Sequence, residues 1–199
     1  MLGRAFLVGL SMCLLLACES EETVTPKPRM YPKINFPAQR YITFHNMGCP
    51  LQFEYPSHSR IVEDSSSFEK TLPGECWFDL RMDSLNASLH CSYLPIRNKD
   101  DLSKLINDAF DLAGKHNIKA NARKESVISN VNGAGGLFFE IDGPVATPIQ
   151  FFLTDSTQHF FRASLYFNAK VNPDSTAPVL QFVRKDIEKM LESFSWKNK

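Results

Sequence analysis

Downstream of residue 40 the chain alternates apolar and polar side chains in short runs. Residues 77–82 place Phe78, Leu80 and Met82 on one face and Asp79 and Arg81 on the other. Residues 87–93 repeat the pattern, with Leu89, Cys91 and Tyr93 against Ser88, His90 and Ser92. A period of two predicts half-buried strands. The period then changes. Leu102, Leu105, Ile106, Ala109, Phe110 and Ala113 recur at helical spacing, and Asn98 is placed to cap that helix through Asp101. A strand ending near Val131 follows, then an Asn132-Gly133 hairpin signal and a strand over 137–142 with Leu137, Phe139 and Ile141 inward. Two more strands, 149–154 and 160–167, flank a turn at Asp155-Ser156-Thr157-Gln158. In the second of these, Phe161, Ala163, Leu165 and Phe167 alternate against Arg162, Ser164 and Tyr166. Beyond residues 172–176, Val179, Phe182, Val183, Ile187, Met190, Leu191 and Phe194 mark a closing amphipathic helix, with Pro178 expected in its first turn. Two helices over strands joined by hairpins predict an α+β fold: a mainly antiparallel sheet covered by two helices, in one domain spanning 41–199.

The pattern upstream is different in kind. Arg4 precedes an apolar run over residues 5–16, too short to span a bilayer as a mature helix, which reads as a signal peptide over 1–17. It ends in Leu15-Leu16-Ala17-Cys18, a lipobox, so cleavage is expected before Cys18 with lipid on that thiol. Several acyl chains on one cysteine suffice for stable membrane anchoring. Residues 18–40 then carry Glu19, Glu21 and Glu22 and the prolines Pro26, Pro28, Pro32 and Pro37, which predicts an extended, semi-rigid tether. The expected location is the cell envelope, on a membrane-anchored lipoprotein facing the periplasm or carried by the outer membrane.

Charge narrows the partners. The chain has 22 basic and 22 acidic side chains, one of the basic ones, Arg4, lying in the signal peptide. With no basic excess there is no electrostatic footprint for nucleic acid. Of the cysteines past the signal peptide, Cys18 is assigned to lipid, which leaves Cys49, Cys76 and Cys91 for one disulfide in an oxidising compartment. Cys91 shares the inward phase of Leu89 and Tyr93, whereas Cys49 and Cys76 sit beside turn residues in Gly48-Cys49-Pro50 and Pro73-Gly74-Glu75-Cys76. The expected pair is therefore Cys49 with Cys76. A zinc site from Cys76, His90 and Cys91 is the alternative, but neither CxxC nor HxxxH spacing accompanies it.

Catalytic patterns are sparse. His45, His58, His90, His116 and His159 are scattered without ligand spacing, and there is no Gly-x-Ser-x-Gly elbow, phosphate loop or Ser-x-x-Lys. Gly133-Ala-Gly-Gly136 joins strands and reads as a flexible hairpin. Glu140 and Asp142 share one strand face, which solvated alternation explains as well as acid–base work does. No cofactor or metal is expected, and no enzymatic function.

The element order, from Phe53-Glu-Tyr-Pro56 to Glu192-Ser-Phe194, resembles the PsbP-like domains, mostly non-enzymatic accessory modules. A resemblance spanning nearly the whole mature chain is to the gliding-motility lipoproteins of the GldD family. It is carried by Pro26-Lys-Pro-Arg29, Cys49-Pro50, Cys76-Trp77, Ile118-Lys-Ala120, Gln150-Phe-Phe-Leu-Thr-Asp-Ser-Thr157 and residues 160–168. That resemblance implies a component of the motility machinery tied to type IX secretion, with other proteins of that apparatus as partners.

Sixteen phenylalanines are many for 199 residues, and Phe151-Phe152 with Phe160-Phe161 put rings on both faces of one hairpin. One face packs the core. The other lies either under a helix or open as a docking patch, for which Phe152, Asp155, His159 and Arg162 are the candidate contact residues. Three classes stay open: an interaction lipoprotein, which is favoured; a carrier of a small apolar ligand, which needs a dry aromatic cavity; and a minor enzyme.

Overall fold

The computed structural model describes residues 33–44, 48–63 and 76–197. The expected signal peptide, the lipidation position Cys18 and residues 18–32 of the tether lie outside the described residues, as does His45.

Three short strands, β1 (Tyr41–Thr43), β2 (Leu51–Gln52) and β3 (Glu54–Pro56), precede β4 (Arg60–Glu63). Strand β5 (Cys76–Met82) turns through a 3-10 segment, Asp83–Leu85, into β6 (Ala87–Pro95). Asn86 takes the left-handed conformation there, at φ 52°, which asparagine tolerates better than most residues. Helix α1 (Lys99–Gly114) leads to β7 (Ala122–Ser129), β8 (Gly135–Asp142), β9 (Ile149–Thr154) and β10 (His159–Phe167). Helix α2 (Pro173–Ser193) and β11 (Ser195–Trp196) close the fold. Seven strands form one antiparallel sheet in the order β4-β5-β6-β10-β9-β8-β7. After β6 the chain crosses through α1 to the far edge and returns strand by strand, so β10 comes to lie against β6. This is the α+β sandwich expected, with one helix on each sheet face.

Alternation within the strands assigns those faces. Phe78, Leu89, Phe151 and Phe161 share a core with Val183, Ile187, Met190 and Phe194 of α2, and Phe44 and Phe53 pack into it. Their neighbours Phe139, Phe152 and Phe160 share a second core with Ala109 and Ala113, against which Leu102, Leu105, Ile106 and Phe110 pack from α1. Helix α1 begins where its sequence places it, because Asn98 Oδ1 accepts the Asp101 N–H at 2.9 Å.

Four local features differ from the sequence reading. Helix α2 starts at Pro173, whose fixed φ suits a first helical position, and the Ser175 and Thr176 N–H groups bond back to the Asn172 carbonyl. Pro178 therefore lies inside the helix instead of in its first turn. The β7–β8 connection is a longer loop than a two-residue hairpin: Asn130 Oδ1 accepts the N–H groups of Asn132 and Ala134, each at 3.0 Å, and only Gly133 takes a positive φ, 78°. Gly135 and Gly136 open β8 instead of lying in the turn. Residues 34–40, expected in the tether, run along the domain, where Phe36 stacks on Phe182 at 4.7 Å and Gln39 donates to Asp186 at 3.2 Å.

A disulfide joins Cys49 to Cys76, with Cα atoms 5.8 Å apart, and ties the approach to β2 to the start of β5. Cys91 is free and buried on the α2 face, where burial pushes its thiol well above the usual range.

Candidate functional site

The hairpin candidates go to different places. Phe152 is buried beneath α1, stacked on Phe160 at 5.3 Å, so it presents no surface to a partner. The docking-patch alternative for that hairpin face gives way to the covered one, because α1 supplies the apolar residues that close it. Asp155 is engaged in its own turn: Oδ1 accepts the N–H groups of Thr157, Gln158 and His159, each at 2.9 Å. Burial raises the cost of its charge, yet those donors outweigh it and hold the carboxyl below its ordinary range. His159 has its Nδ1 2.8 Å from the Tyr93 hydroxyl and its ring stacked on Trp196 at 5.0 Å. Burial pushes the Tyr93 phenol up to about 12. Asp155 and His159 thus shape the hairpin end and pin it to β11.

Arg162 is the exception. The polar phases of β5, β6 and β10 fall on the α1 side of the sheet, beyond the reach of the helix, and the register aligns them in rows. Trp77 lies opposite Ser92 and Ser92 opposite Arg162; in the next row Asp79, His90, Ser164 and Gln150 follow one another across four strands. They floor an open cleft of about 540 Å³ walled by Leu112, Lys115 and His116. Within it His90 Nδ1 donates to Asp79 Oδ1 at 2.6 Å, and Arg81 reaches Asp79 Oδ2 at 3.5 Å. The His90 ring meets Tyr166 edge-on at 5.0 Å. At the α1 wall, Gln150 donates to Thr147 Oγ1 at 2.9 Å, and that hydroxyl lies 2.7 Å from His116 Nε2. Burial lowers the His116 pKa, so Nε2 is suited to accept the Thr147 proton.

Burial sets Arg162 apart from Lys115, the exposed cation that also lines this cleft. Burial lowers its guanidinium pKa, Asp108 of α1 opposes that shift from beyond hydrogen-bond range, and among the described residues no acceptor hydrogen-bonds to it. Trp77 Nε1 in the same row is likewise buried without an acceptor.

Sequence reasoning reached Arg162 and missed its neighbours. The signal was present as the second, polar phase of β5 and β6, on which Asp79, Ser88 and Ser92 are buried, as is Gln150 of β9. Among the described residues no group of three or more His, Cys, Asp or Glu side chains is arranged to hold a metal ion.

Fold and site together define a small α+β sandwich with a polar cleft on its partly uncovered sheet face. The chain belongs to the family described as gliding motility lipoprotein GldD, whose model matches residues 21–196. Membership makes it a gliding motility lipoprotein associated with the cell envelope; among the described residues no helix is long and apolar enough to cross a membrane. No curated protein matches the chain. In structure it is similar to cyanobacterial PsbP (CyanoP) from Synechocystis sp. PCC 6803, at 11% identity and a TM-score of 0.44, over 86% of this chain and 99% of that one.

Proposed function

We propose that this chain is a lipid-anchored, non-enzymatic component of the gliding machinery that supports assembly or stability of the motility and type IX secretion apparatus through protein contacts. The observation that carries this reading is the family match over residues 21–196. Lipid on Cys18 holds it to a periplasm-facing or outer membrane surface, and Arg162 replaces the buried Phe152 as the centre of the contact region.

The site supports binding over catalysis. His90 and Asp79 form a pair that could orient an imidazole, and Ser164 stands across the register from His90. No hydrogen bond joins Ser164 to His90, however, and the neighbouring strand N–H groups are committed to the sheet ladder and cannot serve as oxyanion donors. A carrier of an apolar ligand needs a dry cavity, whereas the gap between Leu89 and Val183 under α2 is about 10 Å³.

Deletion should abolish gliding and reduce type IX secretion together. In complementation, Arg162→Glu should damage motility and partner co-purification at unchanged abundance, while His90→Gln should leave both intact. Normal gliding with Arg162→Glu alongside failure of a stable His90→Gln variant would reverse the assignment in favour of an enzyme. Intact mass spectrometry should find acyl chains on Cys18 and none on a Cys18→Ala precursor; a wild-type protein without them removes the anchor.

A further inference from the structure

Arginine, tryptophan and serine occupy one row of the cleft on three adjacent strands: Arg162 on β10, Ser92 on β6 and Trp77 on β5. All three line the same space; the Arg162 guanidinium has no hydrogen-bond acceptor among the described residues, whereas the Trp77 Nε1 is buried and closed to the cleft. A partly desolvated guanidinium without a protein acceptor gains most from a charged oxygen brought into the cleft. The charges around it limit what that can be. Arg81, Lys115 and Arg162 face Asp79 on the floor and Asp108 on α1, and Asp79 is already engaged by His90 and Arg81. The balance leaves room for about one negative charge. A carboxylate carries one; a phosphate monoester carries about two and would exceed that balance beside Asp108.

We propose that this cleft binds a carboxylate on an acidic peptide segment of a partner protein, with the Arg162 guanidinium receiving the anion beside the Ser92 hydroxyl. The proposal rests on the protein-contact function above and names the chemistry of the contact. A volume of about 540 Å³ suits a few residues of extended chain, and a guanidinium fork matches a carboxylate through two parallel hydrogen bonds.

The test uses the full-length lipoprotein in detergent micelles and dye-labelled five-residue peptides, Gly-Ser-Glu-Ser-Gly and its Gln counterpart, followed by fluorescence anisotropy. The acidic peptide should bind at least about tenfold tighter than the Gln peptide. Arg162→Gln should erase that preference without lowering the melting temperature, Arg162→Lys should retain part of it, and Asp108→Asn should strengthen it. Equal binding of the two peptides, or a preference that survives Arg162→Gln, overturns the proposal. Inorganic phosphate displacing the acidic peptide at concentrations where acetate does not would also overturn it, in favour of a phosphate site. The contact function is read separately by co-purification. Lost partners in Arg162→Glu with no acidic-peptide preference sink the carboxylate site alone; an Arg162-dependent preference with partners and gliding intact in Arg162→Gln sinks the contact function alone.

Discussion

Asn130 donates its side-chain amide to the carbonyl oxygen of Phe194 at 2.7 Å, and the same nitrogen lies 3.0 Å from the carbonyl of Leu191. The last carbonyls of a helix have no partner within it, and here the β7–β8 loop supplies one from 64 residues upstream. Asn132 adds a single bond to Phe194 at 3.0 Å. Asn130→Ala loses these donors and also the loop acceptor, and should cost about 2–4 kcal/mol in urea denaturation, against about 1 kcal/mol for Asn132→Ala. The reverse ranking would show that the loop does not hold the end of α2.

Gly136 answers a different constraint. A Cβ built on it would stand 1.8 Å from the Phe152 carbonyl oxygen, a backbone atom of the neighbouring strand that cannot swing aside. Gly136→Ala should therefore destabilise by about 2 kcal/mol or more, as overpacking does. Gly135→Ala meets its nearest atom at 3.7 Å and should cost less than about 1 kcal/mol. Equal melting temperatures for the two variants would contradict the close approach of β8 and β9.

The Cys49–Cys76 crosslink spans a sequence separation of 27 residues. Loop-closure entropy gives it a contribution of roughly 3.5 kcal/mol. The double variant Cys49→Ser/Cys76→Ser should lower the denaturation midpoint accordingly, and non-reducing peptide maps should link these two residues. Cys91 should resist thiol reagents until the fold is opened, since it is buried and its thiol pKa is raised. A map linking Cys91 to either of the others would refute the pairing.

Acid should weaken the domain through His116. Its pKa is lowered by burial in the folded state, so the unfolded chain binds the proton more readily. The stabilising contribution is complete above the ordinary histidine value of about 6.5 and is lost as pH falls below it. Urea midpoints should drop between pH 7.5 and 5.5, and His116→Asn should drop less over the same window. An identical pH profile for the two proteins would remove His116 as the source.

Local chemistry determined much of this molecule in advance. The Asn98 cap and the spacing of Leu102, Leu105, Ile106 and Ala109 specified α1, and period-two alternation specified β5, β6 and β10, because a helix or strand face is set by residues only a few positions apart. The same alternation turned Cys91 toward the core. Pro178 was misplaced because residue preference alone does not show that Asn172 and Pro173 start α2 earlier. What the tertiary structure alone decided is which faces meet. Strand order brought β10 against β6, setting Arg162 beside Ser92 in the row that runs on to Trp77, and α1 covered Phe152 at the other end of that row. Pairing between strands some 70 residues apart depends on how the whole sheet closes and on what each helix can bury, and no local period records either.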